Sequence, residues 1–432
     1  MKKTITLLLC VVLLVLLAAC QKSDTTAKTE PDTTTPTESV TPPEQNPGTP
    51  SDGTTLMIYM VGSDLEAKGG AGTKDMEEIL ESQVDLSGNN VLLYAGGTKR
   101  WHNDNLTADA GHSILQLTQE GYQALESREE ASMGEADTLA YFLNYAYDNY
   151  KTGNYALILW DHGNGPLIGY GKDMLHEDDT LTLLEMQEAL DASPFKAENK
   201  LAWVGFDACL MSSVELACIW QEHAEYLIAS QEVEPSFGWY FAFLQQLGKV
   251  DTKALAGEIT KQYLDSCLAY YEKRNFDQRD TTLACMDLSQ VAPLKTALEE
   301  LFETAEKDVT SDYSELVCTR VNARALGRAT TGSEYDLIDL VDMATQLKSR
   351  YPDEAEAVIT AAKALVVHNA TNAENCCGLS LYYPFYNKSY YEKAWNDVYQ
   401  DLNAIPAYVS YLLAHSTEHR CPSEFYLRRE YR

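Results

Sequence analysis

Positive charge is what this chain is short of: 33 Lys and Arg stand against 65 Asp and Glu in 432 residues, a formal charge of −32. Binding nucleic-acid phosphates requires a basic footprint that releases counterions, so a nucleic-acid partner is excluded, and with it an electrostatic hold on anionic lipid. Long apolar runs are scarce as well. The stretch from Ile5 to Leu17 is too short, and followed by too polar a segment, to favour a permanent membrane span. The ten cysteines lack regular spacing, and the eight beyond Cys20 form no disulfide framework in a body this large. Apolar residues as a class are not lacking: 45% are hydrophobic and 10% aromatic, which excludes global disorder.

At the start, Lys2 and Lys3 precede the apolar run, which stops at Leu17-Ala18-Ala19-Cys20. A basic start, a short apolar core and small residues before a cut site make a secretory signal. The Leu-Ala-Ala-Cys string also resembles a bacterial lipobox. It implies removal of residues 1–19, acylation of the Cys20 thiol and lipid anchoring at the bacterial envelope or cell surface. The plainer alternative is a signal cut elsewhere, with Cys20 incidental. Residues 20–54 are Thr, Pro, Glu, Asp, Ser and Gly with almost nothing apolar, and read as a disordered tether.

In the body, short apolar runs are each closed by Gly, Asp or another polar residue: Leu56 to Val61, Val91 to Tyr94, Tyr155 to Trp160, Leu201 to Phe206 and Tyr226 to Ser230. Runs of this kind suit strands buried on both faces. Helical spacing falls between them, at Asp75 to Val84, Asp137 to Tyr147, Leu183 to Leu190 and Met211 to Trp220. The alternation predicts βαβ units and an α/β fold with a mostly parallel sheet flanked by helices. Further strand-like pieces, Thr282 to Met286 and Leu379 to Tyr383, are separated by helical stretches such as Leu294 to Ala305. The expected domain is 55–390, with a helical C-terminal extension at 391–432.

Ligands of open parallel sheets sit at the carboxyl ends of the strands. Two residues there carry chemistry: His162, just past one strand, and Cys209, just past the next. An imidazole beside a thiol is the minimum apparatus for a thiol nucleophile. Ser212 and Glu215 fit a capping box, which would set Cys209 just before a helix N-terminus and favour its thiolate. Gly163 lets backbone approach a substrate closely, and its N–H faces where an oxyanion would develop. Taken singly, a Cys at a strand end is more often packing and a lone His a satisfied polar group; the pairing raises the functional reading.

Tyr155 to Gly163 and Phe206-Asp207-Ala208-Cys209-Leu210-Met211 resemble the two catalytic blocks of the clostripain-like cysteine peptidases. The likeness extends to Tyr59-Met60-Val61-Gly62-Ser63-Asp64-Leu65-Glu66, to Gly96 to Trp101, to Ala229-Ser230-Gln231-Glu232, to Tyr335-Asp336-Leu337 and to Gly378 to Pro384. It implies a caspase-like fold and a cysteine endopeptidase working through a thioester, with His162 as base and proton shuttle and Cys209 as nucleophile. The N–H groups of Gly163 and Cys209 would form the oxyanion hole. Asp207 would help shape the pocket for the residue before the scissile bond, selecting Arg or Lys through its carboxylate; the plainer reading is an Asp closing the strand-to-helix turn. Where the family commonly has Asn, this chain has Val61, and where an acid often follows Gly-Trp it has Tyr240, which would weaken a basic preference unless Glu232 or Glu234 substitutes. The resemblance also implies self-cleavage between the two blocks, at Lys172 first, then Lys196 or Lys200.

Other signals carry less. His415-Ser416-Thr417-Glu418-His419 matches a zinc-peptidase string but sits in the tail, and no metal is assigned to it. Gly163 to Gly171 is glycine-rich but fits no phosphate-loop spacing. Glu177-Asp178-Asp179 is a conceivable calcium ligand set, though an exposed charged loop is the simpler reading, and Cys376-Cys377 reads as packing. No cofactor is called for. The expected partners are protein or peptide substrates carrying basic residues, met by a monomer. The competing reading is a non-catalytic surface lipoprotein binding peptide or sugar, or serving adhesion, on the same fold; it has no chemical need for His162 and Cys209 together.

Overall fold

The computed structural model describes residues 51–107, 111–128, 131–275, 279–308, 319–329, 332–384 and 398–418. The signal segment, Cys20 and nearly all of the tether lie outside them. Nine strands form the main sheet: β1 (Ser51–Val61), β2 (Asn90–Gly96), β3 (His112–Thr118), β4 (Gly121–Arg128), β5 (Thr152–Trp160), β8 (Leu201–Asp207), β9 (Ala224–Ala229), β10 (Thr282–Asp287) and β13 (Val366–Thr371). Their spatial order is β13-β10-β9-β8-β5-β1-β2-β3-β4. The central five, β9 through β2, run parallel, and antiparallel pairs extend both edges. A hairpin of β6 (Tyr170–Asp173) and β7 (Asp179–Leu181) stands apart, as does a small sheet of β11 (Ala325–Ala329), β12 (Gly332–Asp339) and β14 (Ser380–Tyr382). The run at Leu379 to Tyr383 thus serves the small sheet.

The alternation within β1 shows why the runs are apolar throughout. Leu56, Ile58 and Met60 enter one core, while Met57, Tyr59 and Val61 enter the other, all fully buried. Each such side chain contributes roughly 1.5–3 kcal/mol by leaving water. One face is covered by α3 (Ala136–Asn149), α5 (Leu183–Asp191), α6 (Val214–Trp220) and α8 (Val291–Glu306), the other by α2 (Ala71–Glu81) and α7 (Thr252–Arg274). Short α1 (Ser63–Gly69) and α4 (Gly165–Ile168) follow β1 and β5 at the carboxyl end of the sheet.

β1 starts at Ser51, inside the stretch read as tether. Its polar start is satisfied from the side, because the Thr54 N–H donates to Asn89 Oδ1 and the Thr55 N–H to Thr152 Oγ1. At the far end, the helix Pro406–Glu418 lays Tyr408 and Tyr411 against Phe302 of α8 at ring-centroid distances of 4.4 and 5.0 Å. Those residues therefore belong to the same packed core.

From β1 the chain crosses to β2 on one side, and β5 then enters on the other side of β1. The strand order reverses between β1 and β5, so their carboxyl ends open a crevice between them. The site forms there.

Candidate active site

The end of β5 leads into Asp161, His162 and Gly163, and the end of β8 into Ala208 and Cys209. The two strands are direct neighbours, with Trp160 opposite Asp207. Gly163 lies against the backbone of Cys209: a β-carbon there would fall 1.9 Å from the Cys209 carbonyl oxygen. Past Gly163 the chain bridges to Tyr170 through Asn164 N–H on Gly169 O and Gly171 N–H on His162 O, which leaves the Gly163 N–H outside the bridge.

His162 is one-third exposed, and its Nε2 lies 3.1 Å from Asp64 Oδ1 of α1. The Asp64 carboxylate also takes Lys68 Nζ at 2.8 Å and Lys172 Nζ at 3.5 Å. Burial works to raise this carboxyl, but Lys68, His162 and Lys172 together hold it well below the usual carboxylate range. The preceding Ser63 is clamped on both sides: its hydroxyl donates to buried Asp161 Oδ1 at 2.5 Å, and its carbonyl accepts Thr98 Oγ1–H at 2.6 Å. Ser63 adopts φ +47°, a conformation rare for a residue with a side chain. Glu66 then turns inward to accept Thr73 and the His102 N–H. The Ser63-Asp64-Leu65-Glu66 block thus fixes one carboxylate at the histidine. The sequence carried this block without assigning Asp64 a place in the site; its signal was the position, three residues past the end of β1.

The Cys209 thiol is partly buried and held by the backbone of Glu234, whose N–H donates to Sγ at 3.2 Å while Sγ–H points to its carbonyl oxygen at 3.7 Å. Among the described residues no hydrogen bond joins His162 to this thiol. Burial, followed by the charge of Glu234, pushes the thiol up to about 12. The expected help from a helix N-terminus is not there. α6 begins at Val214 with Ser213 as its cap, accepting the Leu216 N–H. Ser212 instead donates to Gly378 O, and the Glu215 carboxylate receives the Tyr382 N–H and the Tyr399 hydroxyl. The capping-box reading is corrected accordingly: those side chains tie Cys209's loop to the small sheet. Leu210, buried at φ +63°, makes the sharp turn after the thiol.

Asp207 is buried beneath the Gly238–Trp239 peptide, and the Trp239 N–H reaches both its oxygens at 3.1 and 3.2 Å. Burial raises its carboxyl to about 7 against that hydrogen bond. The Glu234 carboxyl adjoins it and is raised well above its ordinary value by burial and by the charge of Asp207. Among the described residues neither Glu234 oxygen meets a donor in full hydrogen-bond geometry, its nearest polar side chains being Trp239 and Asp207. Glu232 is otherwise engaged, by the N–H groups of Gly327 and Val233 and by Arg324 at 3.9 Å. Beyond Trp239 a cavity of about 350 Å³ opens, walled by Phe237, Trp239, Tyr240 and Tyr270, with Glu78 on its side.

Lys172 sits on β6 beside the site, linking Asp64 and Asp178, while Lys196 is exposed on a distant turn and Lys200 is bonded to Gln221 O. In the acidic run, Asp178 pairs with Lys172 and Asp179 accepts the Ser132 hydroxyl. Among the described residues no three His, Cys, Asp or Glu side chains converge on a metal position. The side chains of His415 to Glu418, and His419 altogether, lie outside the described residues. No described helix is long and apolar enough to cross a membrane.

A family model described as the clostripain family matches residues 58–414. Clostripain of Hathewaya histolytica is 22% identical over 408 residues, covering 78% of this chain and 75% of that protein. Among solved structures, a secreted C11 cysteine protease of Bacteroides thetaiotaomicron bound to an irreversible peptide inhibitor superposes with a TM-score of 0.62. It is 17% identical over 83% of this chain and 99% of that one. An inactive zymogen C11 protease of Parabacteroides distasonis superposes at 0.61, with 18% identity over 82% and 98%. These likenesses confirm the caspase-like architecture, and the family match spans most of the body: the chain belongs to the clostripain family and is a cysteine-type endopeptidase.

Proposed function

We propose that this endopeptidase works through His162 and Cys209 and cleaves after Arg or Lys. The imidazole takes the thiol proton as Sγ attacks the scissile carbonyl, then gives it to the departing amine. The resulting thioester is hydrolysed by water that the same imidazole deprotonates. Gly163 and Cys209 N–H groups receive the oxyanion; the free Gly163 N–H and the close Gly163–Cys209 contact support that role. Since the thiol resists ionisation in this arrangement, substrate has to displace its Glu234 contacts before reaction.

One observation carries the basic preference: the same Glu234 whose backbone grips Cys209 Sγ sets its carboxyl against Asp207, with no cation paired to either. An Arg or Lys side chain would supply that charge and relieve two acids forced together in a buried place. Glu234 thereby replaces the acid that Tyr240 lacks, and Glu78 lines the open cavity on the approach. Self-cleavage at Lys172 would free the hairpin that bridges the histidine loop. Acylated Cys20 would hold the monomeric enzyme at the bacterial envelope, facing extracellular proteins and peptides.

The test sets the full chain, wild type beside Cys209→Ala, against fluorogenic peptides ending in Arg, Lys, Leu or Glu. Turnover confined to the basic peptides and lost in Cys209→Ala supports the reading. Turnover that survives Cys209→Ala rejects the dyad, and equal rates on all four peptides reject the basic preference. Lys172→Met should abolish one fragment pair on denaturing gels.

A further inference from the structure

From the contact between α1 and the histidine loop we infer that Asp64 is the positioning residue of this site. It fixes the ring and tautomer of His162 through Nε2, leaving Nδ1 as the nitrogen that exchanges the proton with the thiol and the leaving amine. The inference rests on the His162–Cys209 reading above.

Asp64 Oδ1 lies 3.1 Å from Nε2, a hydrogen-bond distance that engages this nitrogen and none other of the ring. A carboxylate on one imidazole nitrogen holds the hydrogen there and directs the basic lone pair to the other. The carboxylate is kept ionised by Lys68 and Lys172, so it is a permanent acceptor over the working pH range. It is also held in place. The hydroxyl of Ser63 is bound to Asp161 and its carbonyl to Thr98, while buried Glu66 anchors the next residues through Thr73 and His102. α1 follows β1 and the histidine loop follows its neighbour β5, so the contact spans the point where the strand order reverses.

The charge balance gives the contact a second consequence. During reaction His162 becomes imidazolium, and Asp64 on Nε2 offsets that charge. His162 faces Asp64 from α1 and Asp161 from its own loop, while Lys68 from α1 and Lys172 from β6 sit on the Asp64 carboxylate. Lys172 shares Oδ1 with the histidine and Lys68 binds Oδ2, so the imidazolium receives only part of the carboxylate's charge.

The experiment compares the full chain with Asp64→Asn, Asp64→Glu, Lys74→Met and Cys209→Ala, reading kcat and KM separately across pH on a Lys-ended peptide. Asp64→Asn is expected to lose roughly 10- to 100-fold in kcat, with KM within about twofold and the acid limb of the profile moved to lower pH, since the imidazole has to be neutral to take the thiol proton. Asp64→Glu should recover part of the loss. Lys74→Met breaks the exposed bond from Lys74 Nζ to the Gly69 carbonyl at the end of α1 but leaves the histidine contact, so its kcat should stay within about twofold. If Asp64 only anchors α1, Lys74→Met and Asp64→Asn will lose activity alike and the acid limb will stay put, which overturns the inference. Full activity in Asp64→Asn beside a dead Cys209→Ala also overturns it while leaving the dyad intact. An active Cys209→Ala shows that the dyad itself has failed.

Discussion

Gly163 and Cys209 meet backbone to backbone: the position of a missing β-carbon on Gly163 lies 1.9 Å from the Cys209 carbonyl oxygen. Backbone cannot yield as a flexible side chain can, so any larger residue forces the histidine loop and the nucleophile loop apart. Gly163→Ala is therefore expected to lose at least about 100-fold in kcat and to destabilise the fold by about 1–3 kcal/mol. Peptide turnover and urea unfolding measure the two effects. Full activity would mean that the loops need not touch.

Asp207 and Glu234 are expected to act on basic substrates alone. Each charge-assisted contact is worth about 1.5–3 kcal/mol. Asp207→Asn or Glu234→Gln should then lower kcat/KM by roughly 10- to 100-fold on Arg- and Lys-ended peptides, and much less on a neutral one cleaved slowly by the wild type. Equal losses on both kinds of substrate would assign Asp207 to holding the Gly238–Trp239 peptide.

The raised Asp207 carboxyl predicts opposing pH trends. Its folded-state value, about 7, exceeds the roughly 3.9 of an unfolded chain, so the folded state holds more protons between those limits. The contribution of this carboxyl to stability is therefore fully present below about pH 4 and is lost as pH rises through 7. KM for basic peptides should fall over the same rise, as the carboxyl ionises. Asp161, also raised to about 7, adds to the stability slope, so Asp207→Asn should flatten the slope without removing it. Thermal melts and KM measured from pH 4 to 9 check both trends.

Away from the site, Arg320 Nη2 and Asp336 Oδ1 form an ion pair at 3.2 Å with both side chains almost fully buried. Arg320→Met takes the guanidinium away from a buried carboxylate and is expected to cost about 3–5 kcal/mol. The shift in the urea midpoint reads this directly, while kcat of the remaining folded enzyme should be unchanged.

The central sheet was legible because its strands are buried on both faces, so Leu56 to Val61 or Leu201 to Phe206 announce themselves as unbroken apolar runs. The outer strands were not. β4, with Gln123 and Glu126 exposed or half-exposed at the sheet's edge, has no such run. α7 was missed because its buried stripe is aliphatic only at the start, at Leu255, Ala256 and Ile259, and then runs through Thr260, Tyr263, Cys267 and Tyr271. In the site, adjacency of His162 and Cys209 followed from strand ends alone. Asp64 did not, since it reaches the histidine from another strand's loop, and only the strand order brings the two together. The thiol's environment was misjudged for a similar reason. Ser212 and Glu215 fit a local pattern, but bonds to Gly378, Tyr382 and Tyr399, more than 160 residues away in each case, claim them first.

The grip of Glu234 on Cys209 has a consequence for how this enzyme can change. Its main chain holds the Cys209 thiol and its side chain borders Asp207, so under the proposed function reactivity and selectivity would share one residue. A substitution that retunes which peptides are accepted will also reset how fast the idle thiol is alkylated or oxidised. Descendants with altered taste should therefore also differ in their shelf life.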